Sequence, residues 1–226
     1  MLAVIKKELK SYLLSPIGYI FIGLFIFMFS LFFYIDVFAR NYIFFQYAFY
    51  SAATILTFVV PVLTMRMFSE ERRNGTEQLL LTSPRSLASI VLGKFFAAVI
   101  IMVITLAFTL MHLAILCHFG SPDLKVAGVT ILGFLLLSCA YISFGMFASS
   151  VTENQIVACV LTIGVFIAMW FLPNVSSIFS MFSLIAMFDN FPTGVIALNE
   201  VVMFVSFTIL FILLTIIVLQ RRKSVK

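Results

Sequence analysis

Charged side chains cut this chain into long uncharged runs, and no other feature constrains its fold as much. Ile17 to Ile35 contains no Asp, Glu, Lys or Arg, and similar runs recur along most of the chain. Soluble domains carry about 25% charged residues. Here 10% are charged and 63% apolar, with 28 Phe. A water-soluble fold of this composition would expose large apolar patches and aggregate. The chain therefore reads as an all-α integral membrane protein, a single domain over 1–226.

A helix needs about 20 apolar residues to cross the hydrocarbon core. A charge at its centre costs about 2.5–3.5 kcal/mol on insertion scales, so the charge-free runs locate the spans. They fall at 17–38, 47–67, 87–117, 127–149, 155–173 and 199–219, six in all. The third is long, which predicts a tilt or a projection beyond the bilayer. Lys94, near its inner end, is expected to snorkel to the interface. Lys6, Lys7 and Lys10 precede the first run as in a secretory signal, but the run exceeds the roughly 7–15 residues of a signal core and no A-x-A site follows. It reads as a retained span.

Lys and Arg set the orientation. With the N-terminus in the cytoplasm, 12 of the 14 fall on the inner side, and only Arg40 and Lys125 fall outside. That asymmetry satisfies the positive-inside rule and places both termini in the cytoplasm. The formal net charge of +5 is the same signal; no soluble basic domain exists to bind nucleic acid.

Residues 1–16 differ from the spans. Leu2, Ile5, Leu9 and Leu13 share one helical face and Lys6, Lys7 and Lys10 another, the pattern of an amphipathic helix lying in the inner interface. Ser15-Pro16 should end it, and Gly18 should permit a sharp turn into the first span. At the far side, 174–198 is too apolar for a water-exposed loop, and Asn174, Asn190, Pro192 and Gly194 break it into pieces too short to span. Short helices dipping partway in would keep its backbone paired. Asp189, Gly194 and Glu200 mark its outer surface.

The charges that remain crowd into 68–86, FSEERRNGTEQLLLTSPRS. Asn74-Gly75 should stop a charged extension of the second span. Asn74 is then placed to cap a second, two-turn helix over Thr76 to Thr82, with Glu77 as its reciprocal partner. Leu79, Leu80 and Leu81 are consecutive and cannot all face one way, so some must meet another surface. Ser83-Pro84 should end this helix and cap the next. The plainer reading is a solvated loop that only enforces topology; the Leu triplet and the capping pattern favour a shaped docking element.

Absent motifs narrow the chemistry. Gly93-Lys94 is the nearest lookalike to a P-loop, but Ala88 and Phe95 stand where Gly and Ser or Thr are required. There is no H-E-x-x-H and no G-x-S-x-G. Cys117, Cys139 and Cys159 lack C-x-x-C spacing, and His112 and His118 lack a zinc-helix spacing, so no metal site is expected. No ionisable residue sits at a span centre, as ion-driven carriers usually require. Any transport must be powered from another chain.

Three stretches carry a family resemblance: Lys6 to Phe21, Met67 to Ala97 and Phe188 to Phe204. With them, nearly the whole chain resembles the membrane subunit of an ABC-2 type transporter, close to the gliding-motility-associated and related small bacterial permeases. The resemblance implies that residues 68–86 form a coupling helix seated in a cleft of a separate ATP-binding subunit. Glu70, Glu71, Arg72, Arg73, Gly75, Thr76, Glu77 and Gln78 would make that contact, anchored by Leu79 and Leu80. It implies ATP and magnesium on two copies of that subunit and no cofactor or catalysis in this chain. It also implies a second permease unit, identical or related, the bacterial cytoplasmic membrane as location, and export or extraction of a substrate. A periplasmic or envelope partner is a further expectation, since some members of the broader family extract lipid-linked cargo or act mechanically.

Two other function classes compete. A non-transporting adaptor or mechanotransmitter would dock a cytoplasmic protein through the same loop without ATP-driven motion. An intramembrane enzyme would need a clustered nucleophile, base or metal set, which the sequence does not offer.

Overall fold

The computed structural model describes residues 1–39, 45–78, 85–175 and 183–225. Among these every regular element is helical. In chain order they are α1 (Leu2–Leu14), α2 (Pro16–Phe33), a π-helical turn (Tyr34–Ala39), α3 (Phe45–Thr64), α4 (Ser69–Arg73), α5 (Leu87–Phe119), α6 (Leu124–Val151), α7 (Gln155–Val175), α8 (Leu184–Phe188), a 3₁₀ turn (Phe191–Thr193) and α9 (Leu198–Val225).

Among the described residues, five helical stretches are long and apolar enough to cross a membrane: Pro16–Val37, Phe45–Arg73, Leu87–Phe119, Leu124–Val151 and Leu198–Lys223. The span expected at 155–173 is helical over Gln155–Val175, but its apolar described part, Gln155–Phe171, is shorter than the other five. α5 has 33 residues, about 50 Å at 1.5 Å per residue, well beyond the hydrocarbon thickness.

Local sequence explains the breaks. Pro16 starts α2 at its first turn, and Ser15 before it is extended, at φ −92° and ψ 150°. Gly18 serves the bend by close approach: a Cβ there would collide with the Tyr12 carbonyl. α3 runs through Pro61 and ends at Thr64; one irregular turn leads into α4. Asn74 then ends α4, and Gly75 follows in the left-handed region at φ +71°.

α6 is the central helix and packs against α3, α5, α7 and α9. Small residues set its approach to α3. A Cβ on Gly145 would collide with Thr64, and one turn on Ser149 Oγ accepts from the amides of Phe68 and Ser69 at 3.0 and 3.1 Å. The Gly145/Ser149 spacing thus serves contact within the chain.

Two expectations need correction. Lys94 does not snorkel: it is 2% exposed and held inside the bundle by two carboxylates, which satisfy its charge without solvent. The cap of α5 is Ser86, whose hydroxyl accepts from the Ser89 amide at 3.3 Å, rather than the Ser83-Pro84 pair. Leu79, Leu80, Leu81 and most of the expected Thr76–Thr82 helix lie outside the described residues.

Candidate functional site

The charges of one end of the bundle converge on the segment that follows α3. Lys94, in the third turn of α5, lies 3.1 Å from Glu8 Oε1 of α1 and 2.9 Å from Glu71 Oε1 of α4. The Phe68 ring faces the same ammonium at 5.2 Å. Lys7 Nζ stands outside the cluster, 3.6 Å from Glu8 and 3.8 Å from Glu71, and its side chain is mostly exposed. α1 comes this close because Gly93 has no side chain; a Cβ there would meet Val4 at 2.8 Å. A buried lysine shared by two carboxylates ties three elements that are remote in sequence. Removing Lys94 alone would leave Glu8 and Glu71 with only the exposed Lys7 as a cation, which is costlier than the intact cluster.

The rest of the segment is tied to other elements. Arg66 Nη2 pairs with Glu70 at 2.6 Å across one helical turn. Arg72 pairs with Glu153, in the α6–α7 connection, at 2.6 Å, and donates to the Val151 carbonyl at 3.1 Å. Arg222, near the end of α9, reaches the same carbonyl at 3.3 Å and pairs with Glu77 at 3.1 Å. Glu77 therefore meets α9 rather than acting as the reciprocal partner of Asn74. Thr76 Oγ1 donates to the Glu71 carbonyl at 3.1 Å, rounding the turn at Gly75. Ser149 fixes the base of the segment and itself donates to the Met65 carbonyl at 3.0 Å.

Residues 73–76 and Gln78 are exposed, whereas Glu70, Glu71, Arg72 and Glu77 are partly buried. The ten residues expected to form one contact thus divide by role. Glu70, Glu71, Arg72 and Glu77 bind other parts of this chain, and Arg73, Gly75, Thr76 and Gln78 present an outward surface. Leu79 and Leu80 lie outside the described residues.

α1 is less simply amphipathic than its leucines suggest. Glu8 and Tyr12, one turn apart, are its buried residues, flanked by Ile5 and Leu9. Tyr12 donates to the Leu63 carbonyl at 3.4 Å, and burial, then the nearby Glu8, push its phenol well above the ordinary range, so it stays a neutral donor. Lys6, Lys7 and Lys10 face outward together with Leu2, Leu13 and Leu14. Glu8, Tyr12 and Glu153 escaped the sequence reading. The i,i+4 spacing of Glu8 and Tyr12 on a helix otherwise ringed by Lys was the available signal.

At the opposite end, α8 and the 3₁₀ turn fold back onto the bundle. Gly194 adopts φ +84° and packs on Val126. Glu200 is buried and accepts from the Asn190 side-chain amide, while Asp189 is exposed. The Asp189 carbonyl accepts from Tyr50 Oη at 2.6 Å. Phe188 and Phe191 stack on each other and meet Phe134 and Phe204. Cys117, Cys139 and Cys159 are unpaired, and no group of three metal-ligating side chains occurs among the described residues.

Comparison with curated proteins gives no match. A family model described as "ABC-2 family transporter protein" matches residues 35–219, most of the chain, taking in α3 to α8 and most of α9 but neither α1 nor α2. On that match, and in keeping with a bundle of membrane-length apolar helices, the chain belongs to the ABC-2 transporter family as its membrane-embedded permease component.

Proposed function

We propose that the segment 68–86 couples this permease to a separate ATP-binding subunit, and that ATP hydrolysis there drives export or extraction of a substrate. One observation carries the reading. Residues 69–78 are bonded to α1 and α5 through Lys94, to the α6–α7 connection through Arg72 and to α9 through Glu77, while Arg73 to Thr76 remain exposed. A push on the exposed turn would reach four parts of the bundle through charge-assisted contacts. A loop that served only as a topology marker would need none of them.

In this reading α7 completes six spans. Its 21 residues correspond to about 31 Å, enough to cross a bilayer. α1 lies at the inner interface of a bacterial cytoplasmic membrane, and α8 with the 3₁₀ turn dips into the outer leaflet. Two such units, identical or related, enclose the route, with ATP and magnesium on two copies of the partner subunit. The kinship with gliding-motility permeases and an envelope partner belong to the same proposal.

The structure changes how the coupling is best tested. Alanine at Glu70, Glu71 or Glu77 would break contacts within the chain, so a loss of function would be ambiguous. Arg73 is exposed, and among the described residues it forms no ion pair. Arg73→Glu should abolish co-purification of the ATP-binding subunit and lower ATP turnover in the purified complex, at an unchanged thermal midpoint. Unchanged association and turnover would refute the coupling role. A cross-link between the two permease halves should halt turnover-dependent function in a transporter but not in a static adaptor.

A further inference from the structure

A cavity of about 520 Å³ opens beside the proposed coupling segment, lined by the charged and polar residues Arg72, Glu77, Gln78, Glu153, Arg221 and Arg222 together with Gly75. Its volume is within the usual ligand-pocket range of about 300–1,000 Å³. We propose that it is a binding site for the phosphate of an anionic phospholipid headgroup.

The guanidinium groups of Arg72 and Arg222 are drawn together by one acceptor, the Val151 carbonyl, at 3.1 and 3.3 Å. That carbonyl lies at the C-terminal end of α6, where the helix dipole favours cations. Arg221 adds a third guanidinium and, among the described residues, engages no carboxylate. Two glutamates oppose these three arginines, leaving one net positive charge, the complement of a phosphodiester. The glutamates are not equivalent. Glu77 is largely buried, whereas the Glu153 side chain is 66% exposed, so water screens its pair with Arg72 and an incoming anion displaces it readily.

The level of the cavity fits a headgroup. α9 is apolar or uncharged from Val201 to Leu219, and Arg221 and Arg222 follow after Gln220. Nineteen helical residues cover about 28 Å, close to the roughly 30 Å hydrocarbon core, so the arginines stand where phosphates lie. Apolar surface for acyl chains begins nearby on two walls. α7 exposes Ile156 and Val160 just beyond Glu153, and α9 exposes Leu213 and Ile217 just before Arg221. Basic pockets between spanning helices at the cytoplasmic side commonly bind such headgroups. Because Gly75, Glu77 and Gln78 form part of the lining, an occupied site would brace the exposed turn. The lipid site stands whether or not that turn docks an ATP-binding subunit.

The test uses the purified full chain, delipidated and offered phosphatidylglycerol or phosphatidylcholine vesicles, with retained lipid read by native mass spectrometry. Phosphatidylglycerol should be retained over phosphatidylcholine. Arg221→Gln should weaken that retention about fivefold, the effect of one basic residue at an anionic surface. Its thermal midpoint in phosphatidylcholine should not change, because Arg221 makes no ion pair among the described residues. Lys10→Gln, on the exposed face of α1, should leave specific retention intact. Equal retention of the two lipids would overturn the proposal, as would wild-type retention by Arg221→Gln. An equal loss with Lys10→Gln would show only diffuse surface attraction. Displacement of phosphatidylglycerol by millimolar inorganic phosphate would assign the cavity to the free ion instead.

Discussion

At one end of the bundle Lys94 holds Glu8 and Glu71 inside the protein; at the other, Phe191 packs on Gly133 and against Phe188 and Phe204, with Phe134 meeting Phe188. Both ends fasten a short, irregular segment onto long helices. One does it with directional charge pairs between elements, the other with ring packing and the absence of a side chain. Ion pairs hold groups at defined points and can exchange partners, which is what the proposed coupling role asks of this segment. Ring packing is non-directional and depends on volume, so it suits a plug that stays in place. The charged end also keeps an outward turn, Arg73 to Thr76, whereas at the far end Glu200 is turned inward to Asn190.

The largest expected effect tests the charged end. Lys94→Met should destabilise the purified protein by about 3 kcal/mol, because Glu8 and Glu71 are left with only the mostly exposed Lys7 as a cation. Thermal unfolding in detergent measures it. Adding Glu8→Gln and Glu71→Gln should recover most of the loss. A mild effect of Lys94→Met alone would mean that water already reaches the cluster, and the contrast between the ends would weaken.

Next in size is the packed end. Gly133→Ala puts a Cβ into the base of the Phe191 ring, which must shift together with its backbone. Overpacking of this kind costs about 1–3 kcal/mol. The loss should be insensitive to salt and pH, unlike that of Lys94→Met, and a salt-dependent loss would contradict the assignment.

Gly75→Val should cost about 1–2 kcal/mol, since a β-branched side chain resists φ +71°. The space around Gly75 is open, so backbone strain rather than collision is the cause. Proteolytic nicking within 73–78 should rise in this variant and not in Gly75→Asn, which tolerates that region.

The smallest effect is electrostatic and lies at the far end. Burial, and then the neighbouring Glu200, raise the Asp189 carboxyl above its ordinary 3.8. The folded state therefore holds this proton more tightly than the unfolded one. Its contribution to stability is complete below 3.8 and is lost as pH rises through the folded value. Asp189→Asn should raise the thermal midpoint slightly at neutral pH and not in acid. Asp189 is exposed, so solvent screening keeps the gain small. A gain of equal size in acid would rule out this cause.

Much of the architecture was readable in one dimension because bilayer insertion is decided locally. Charge-free runs had to be helices, Pro16 and Gly75 had to break them, and the charges had to gather between α3 and α5. The Lys94 cluster was not readable. Lys94 sits 86 positions from Glu8 in sequence, and its charge pointed to the interface until α1 was seen to cover it. Gly133 carried no signal, and the Gly145/Ser149 spacing allowed a close helix contact without naming the partner; only the placement of Phe191 and Thr64 shows where a methyl group would not fit.

By itself the sequence determined that this chain is a helical membrane protein and where its charges concentrate. Each of those follows from the transfer cost of a residue and its near neighbours. Only the tertiary structure decided which carboxylate meets which cation, and so divided the charged segment after α3 into an inward half bound to the bundle and an outward turn. Pairing between remote helices depends on how they pack, and no local cost encodes it.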